Sequence, residues 1–384
     1  MRFDFATATR ILFGPGVARE VAPAAKQMGK RALLVRGGSE EKAALLGDAV
    51  QMEGIGCISW AVRAEPSVSL VRQGLELARR EQCDLVIAFG GGSAIDAAKA
   101  IAALLTNDGE LDDYLEVIGK GRPLRHLSVP FIAVPTTAGT GSEVTRNAVL
   151  ASAEHRAKVS LRSPLMLARL AVVDPELTLD LPPGLTASTG LDALTQLIEP
   201  CVSSRANPLT DAFCLEGLRR VSRSLRRAYH YGSDISAREN MSLASLLGGL
   251  ALANAGLGVV HGFAAPVGGM FDAPHGAVCA ALLPHGMEVN IRAARARAPE
   301  DETLHRYETV ARLLTGNPDA LPEEGVEWVR QLCRELQIPP LSSYGIQEGD
   351  VVTLVEKASN ASSTKGNPIT LTMDELREVL TGAL

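Results

Sequence analysis

Apolar and polar positions alternate in two different ways along this chain. Up to about residue 175, short apolar or β-branched runs (Arg31–Val35, Cys57–Ala61, Asp84–Phe89, Phe131–Val134) are separated by stretches with helical spacing, among them Leu70–Glu81 and Ala94–Leu105. Strand-length runs alternating with helical ones predict a mostly parallel sheet wrapped by helices. After Asp174-Pro175 and Leu181-Pro182-Pro183-Gly184 the helical period dominates and strand signals fade. The expectation is an α/β, Rossmann-like nucleotide-binding domain over residues 1–180 and an all-α domain over 181–384, sharing a cleft. Pro208 after Asn207 suits a first helical turn, and Ser236-Ala237-Arg238-Glu239 has capping-box spacing. The apolar stretch from Met241 to Val260 is broken by serines, glycines and Asn254, so it is read as a helix buried in a globular core rather than a membrane span.

Composition narrows the function classes. With 38 basic and 44 acidic residues among 384, a net charge of −6 and no basic block, nucleic acid and anionic membrane are poor partners. The six cysteines lack C-x-x-C spacing, and the N-terminus lacks the apolar core of a signal peptide. A cytoplasmic protein with reduced thiols is expected.

Two loops follow strand-like runs. Gly90-Gly91-Gly92-Ser93 opens a helix, which sets backbone N–H groups and a positive dipole end where a pyrophosphate binds. Pro135-Thr136-Thr137-Ala138-Gly139-Thr140-Gly141-Ser142-Glu143 follows Phe131–Val134 and offers hydroxyls to phosphate or ribose. Two such loops at carboxyl ends of parallel strands define one ligand crevice. Further on, Val260–His285 holds three of the seven histidines, each followed directly by glycine, and Asp192 lies at the start of an apolar-periodic helix. One carboxylate and two or three imidazoles suit a divalent first-row metal.

Taken together, F-G-P-G at Phe13–Gly16, G-G-G-S at Gly90–Ser93, P-T-T-A-G-T-G-S-E at Pro135–Glu143, G-L-D-A-L-T at Gly190–Thr195, H-G at His261, P-H-G at Pro274–Gly276 and G-N-P at Gly366–Pro368 make the chain resemble the iron-dependent (group III) alcohol dehydrogenases, of dehydroquinate synthase-like fold. The resemblance implies hydride transfer between a nicotinamide and a small alcohol or carbonyl. It implies a cofactor site at Gly91, Gly92, Ser93, Asp96, Thr136, Thr137, Thr140, Thr145 and Lys158, with Lys158 also beside the reacting centre. It further implies a metal, Fe2+ or Zn2+, on Asp192, His261 and His275, and a homodimer or larger assembly.

Two positions depart from the family pattern: Gln196 stands where a histidine ligand is usual, and Ala265 where many members carry a further histidine. Gln196 still faces the same side of its helix as Asp192, so it is read as a fourth, weaker ligand or a holder of water. The same departures leave open a metal-independent reductase of the maleylacetate reductase type, and a nucleotide-binding paralogue without catalysis. At the end of the second strand, Arg36-Gly37-Gly38-Ser39 offers no acid for a ribose 2′-hydroxyl, so Gly37, Gly38 and Ser39 join the cofactor set and NADP is favoured over NAD.

Overall fold

The computed structural model describes residues 2–384 and divides into two compact units. The first comprises residues 6–137 and Gly141–Thr178; the second comprises residues 2–5, Ala138–Thr140 and Leu179–Leu384.

The α/β unit is built on a six-stranded sheet of β1 (Ile11–Phe13), β2 (Arg31–Arg36), β3 (Gly56–Ala61), β4 (Leu85–Gly90), β5 (Phe131–Pro135) and β8 (Leu170–Val173). Its order is β1-β8-β5-β4-β2-β3, with every pair parallel. Helices cover parallel sheets on both faces, which is why β4 and β5 are buried at every position and read in the sequence as unbroken apolar runs. The order reverses between β2 and β4, so the carboxyl ends of these neighbours form the switch point where such sheets take ligands.

Two elements were not anticipated from the sequence pattern. A separate hairpin joins β6 (Asn147–Ser152) to β7 (Ala157–Arg162) in antiparallel register, and the short edge strand β1 pairs with β8. Asp174, just past β8, accepts hydrogen bonds from the backbone of Gly16 (3.0 Å) and Ala18 (2.9 Å). This carboxylate fixes the F-G-P-G turn, in which Gly16 is left-handed at φ 74°.

From Pro183 onward the second unit contains helices and no strand. Asn207 caps Pro208–His230 as its side chain accepts from Leu209 and Thr210, with Pro208 in the first turn. The anticipated capping box at Ser236–Glu239 is corrected. The helix spans Ile235–Ala255, and its cap is Asp234, which accepts from the backbone of Ala237. The apolar stretch Met241–Val260 is likewise not one helix. It breaks at Gly256, whose φ of 73° no β-branched residue would adopt readily, and a second helix, Val259–Met270, leaves at 99°. Among the described residues no single helix is long and apolar enough to cross a membrane.

Candidate metal centre and dinucleotide cradle

The helix Pro183–Val202 carries Asp192, Gln196 and Glu199 along one face, each buried. Residues four and seven apart stack on the same side of a helix, so this face presents three oxygen-bearing side chains in a row. His261 lies in the first turn of Val259–Met270, and His275 is the first residue of His275–Arg297. The glycine after each histidine has a steric cause. A Cβ at Gly262 would lie 2.1 Å from Thr364 Oγ1, and one at Gly276 would lie 2.4 Å from the carbonyl oxygen of Ser188 and 3.4 Å from Asp192 Cβ. Glycine at 276 therefore lets the His275 helix press against the Asp192 helix.

The three expected ligands come together. Asp192 Oδ1 lies 3.5 Å from His261 Nε2 and 3.6 Å from His275 Nε2. A fourth group, Cys279, one turn after His275, joins them, and the four candidate ligand atoms all lie within 4.8 Å of one another. Gln196 interacts with the Asp192 carboxylate, and its Oε1 has no hydrogen-bond partner; neither has Asp192 Oδ1. A buried acceptor without a hydrogen bond costs about 1–3 kcal/mol, and at Asp192 the two imidazoles offset part of it. A divalent cation would remove that penalty, so the residues present fit one. His285, read as structural, stays outside the cluster and packs against Gly382.

Two residues that pattern reading missed shape this centre. Glu199 Oε2 is 2.6 Å from His261 Nδ1, while its Oε1 accepts from the backbone N–H of Val260 at 2.7 Å. An Nδ1–H donated to this carboxylate turns Nε2 toward Asp192, and Nε2 is the nitrogen that a metal would take in place of a proton. Glu199 follows Asp192 by seven residues, a spacing that the helical period makes visible. Cys279 follows His275 by four, the same signal.

Burial disfavours a charged imidazole at His261, but Cys279, Glu199 and Asp192 outweigh it and raise its basicity well above the ordinary value. Burial also opposes ionisation of Asp192, yet His275 and His261 prevail and hold its carboxyl below the usual range. Burial pushes the Cys279 thiol up to about 11.

The G-N-P motif has its role here as well. Asn367 accepts from Val259 N–H (3.0 Å) and donates to Asn290 Oδ1 (2.7 Å), which pins the start of the His261 helix.

In the α/β unit, the turns after β2, β4 and β5 lie side by side. Gly37 donates its N–H to the Phe89 carbonyl (2.8 Å), and Thr136 donates to that of Gly90 (3.0 Å). A Cβ at Gly90 would meet Ala94 Cβ at 2.7 Å and Gly37 N at 2.9 Å; one at Gly91 would meet Thr137 Oγ1 at 3.2 Å. No side chain caps the helix Gly92–Leu104, whose first residues include Ser93. This is a bare backbone cradle at a helix N-terminus, and it fits a pyrophosphate.

The remaining expected cofactor residues divide. Asp96 receives hydrogen bonds from the Ser142 hydroxyl and from Val149 N–H (3.0 Å), so it anchors the loop after β5. Thr145 is buried and accepts from Lys99 Nζ at 2.8 Å. Lys158, on β7, is held by Glu65 at 2.5 Å. Gly38 is left-handed at φ 66°, and Ser39 caps the following helix by accepting from Lys42 N–H. Thr140 belongs to the helical unit, where Gly139 beside it packs against Thr189.

The parallel sheet with its glycine cradle and the helical unit with its Asp-His-His cluster are the features of a dinucleotide-linked oxidoreductase with a candidate metal site. The iron-containing alcohol dehydrogenase model matches residues 8–175, and the Fe-containing alcohol dehydrogenase C-terminal family model matches residues 186–384. The chain belongs to this family of oxidoreductases acting on CH–OH groups. It is 40% identical over 324 residues to alcohol dehydrogenase 4 of Schizosaccharomyces pombe, covering 84% of this chain and 74% of that one. It is 32% identical to the NAD-dependent methanol dehydrogenase of Bacillus methanolicus, covering 97% of both. The crystal structure of a 1,3-propanediol oxidoreductase superposes with a TM-score of 0.91 at 34% identity, over the full length of both chains.

Proposed function

We propose that this protein interconverts a small aliphatic alcohol and its aldehyde or ketone with a nicotinamide dinucleotide, using a divalent metal held by Asp192, His261 and His275. The cluster of Asp192, His261, His275 and Cys279 carries this reading, because four candidate ligand atoms brought within 4.8 Å of one another suit a divalent ion and have no evident use in a metal-independent site. A metal bound there supplies a Lewis acid for the oxygen of the alcohol or carbonyl. Asp192 contributes the formal charge, His275 a second imidazole, and Glu199 holds His261 in the ligating tautomer. Gly91, Gly92 and Ser93 bind the pyrophosphate through backbone N–H groups, and Thr136 and Thr137 flank it. Asp96 and Thr145 act behind the cradle, fixing the loop that carries the threonines.

We infer that both dinucleotides bind and that NADP is modestly favoured. The turn after β2 carries no acid at Gly37 or Gly38, which removes the group that would repel a 2′-phosphate. Arg36 ends β2, but its guanidinium is paired with Glu40 at 2.6 Å, which keeps the preference small. All six cysteines are free thiols, in keeping with a cytoplasmic protein. A homodimer or larger assembly completes the proposal and is checked by light scattering.

The deciding experiment is elemental analysis of protein purified without chelator, with NADPH and NADH oxidation assayed on short-chain aldehydes before and after EDTA. About one metal ion per chain and loss of activity on chelation are expected. Full activity in metal-free protein would overturn the metal role and establish a metal-independent reductase.

A further inference from the structure

We propose that Cys279 Sγ is itself a ligand of the metal, standing in for the imidazole absent at Gln196, and that this sulfur tilts the site from iron toward zinc. The inference rests on the reading that the Asp192 cluster binds a divalent ion, and adds a ligand that the usual aspartate and three histidines do not include.

The geometry supports four ligands around one point. For Zn–N and Zn–O of about 2.0–2.1 Å and Zn–S of about 2.3 Å, a tetrahedron has edges of about 3.3–3.6 Å. The Asp192 Oδ1 edges to His261 and His275 are 3.5 and 3.6 Å. The Cys279 Sγ edges to the Nε2 atoms of the same residues are 3.8 and 3.7 Å. These four of the six edges are within a few tenths of an ångström of what a bound zinc would impose, and the other two, Asp192 Oδ1 to Cys279 Sγ and His261 Nε2 to His275 Nε2, lie within 4.8 Å. Asp192 Oδ1, on a residue 2% exposed, is the independent sign that a cation belongs among them, since it makes no hydrogen bond and its contacts are the two imidazole Nε2 atoms that a metal would also hold.

Gln196 takes a different part from the one expected of it. Its side chain interacts with the Asp192 carboxylate, which orients that group rather than competing with sulfur for the ion.

Charge follows from the ligand set. As the metal–sulfur bond forms, the thiol proton leaves to solvent, and the thiolate and Asp192 together neutralise a divalent ion. Aspartate with neutral side chains alone would leave one positive charge. Thiolate is a soft ligand that favours zinc over iron relative to imidazole or carboxamide.

The test is X-ray absorption at the zinc edge on the full-length zinc-loaded protein, with the near-ultraviolet spectrum of its Co2+ form. One sulfur at about 2.3 Å and a sulfur-to-cobalt charge-transfer band are expected, both lost in Cys279→Ala, together with a lower zinc-to-iron ratio after loading from an equimolar mixture. A wild-type shell of nitrogen and oxygen only would overturn the proposal while leaving the metal site intact. A sulfur signal that persists in Cys279→Ala would also overturn it. Failure to retain any metal would instead overturn the reading on which it rests. The wild-type spectrum decides the question even where the variant fails to fold.

Discussion

His261 Nδ1 and Glu199 Oε2 lie 2.6 Å apart, both buried, and the second oxygen of Glu199 is tied to the backbone of Val260. The carboxylate thus grips the ring and the first turn of the helix that carries it. Removing its charge without its shape isolates the first task. Glu199→Gln is expected to weaken metal affinity about 10–100-fold, the usual cost of losing the outer partner of a ligating histidine. Competition against a chromophoric chelator would measure it, and an affinity equal to wild type would show that the ring is fixed by packing alone.

Gln196 is the departure from the family pattern with the clearest consequence. It sits one helical turn after Asp192, and a Cβ at Gly248 would lie 3.3 Å from its own Cβ, so the neighbouring helix leaves little slack there. Gln196→His should restore a third imidazole and raise metal affinity about tenfold or more, about 1.4 kcal/mol. The readout is retention of metal during dialysis against EDTA. Unchanged retention would mean that the other ligands already saturate the ion.

The dinucleotide cradle is tested at Gly91. Its φ is −75°, so alanine meets no backbone strain, yet the new methyl would lie 3.2 Å from Thr137 Oγ1 and 3.3 Å from Thr137 Cγ2. Gly91→Ala is expected to weaken NADPH and NADH binding by about tenfold or more while metal content stays at the wild-type level. Fluorescence titration of the bound nicotinamide gives the first number and elemental analysis the second. Unaltered cofactor affinity would remove Gly91 from the pyrophosphate site.

Much of this architecture was legible because its causes are local. A strand buried on both faces reads as an apolar run, as Leu85–Gly90 does, and an asparagine followed by proline marks a helix start, as at Asn207. The candidate metal cluster was legible in part, through Asp192, His261 and His275. Glu199 and Cys279 escaped notice although each lies at helical spacing from a recognised residue. A lone glutamate on a helix equally suits a solvated face, and cysteines without C-x-x-C spacing read as reduced thiols. What no local pattern carries is contact between distant segments. Asn367 bonds Val259 across 108 residues, and Asp96 anchors Ser142 and Val149 rather than facing open solvent. The helix break at Gly256 was hidden for another reason, since an apolar run shows length and not direction.

Glu143, last residue of the P-T-T-A-G-T-G-S-E loop, makes the α/β unit sensitive to pH. It is buried, and burial pushes its carboxyl up to about 7 against an ordinary 4.5, even though Lys99 pulls the other way. A carboxyl raised on folding holds its proton in the native state while the unfolded chain has already released one. Between pH 4.5 and about 7 the unfolded state therefore binds fewer protons, and stability contributed by this group falls as pH rises. Above about pH 7 the cost levels off at about 3 kcal/mol, because each tenfold gain in proton affinity on folding is worth about 1.4 kcal/mol. Glu143→Gln keeps the shape and cannot ionise, although its amide also gives up the attraction to Lys99. The variant should show a flatter dependence of Tm on pH across this window and should gain on wild type at pH 8 relative to pH 5. Thermal denaturation at the two pH values measures this, and parallel Tm profiles for the two proteins would show that Glu143 is already ionised at pH 5 and stabilised by its lysine neighbour.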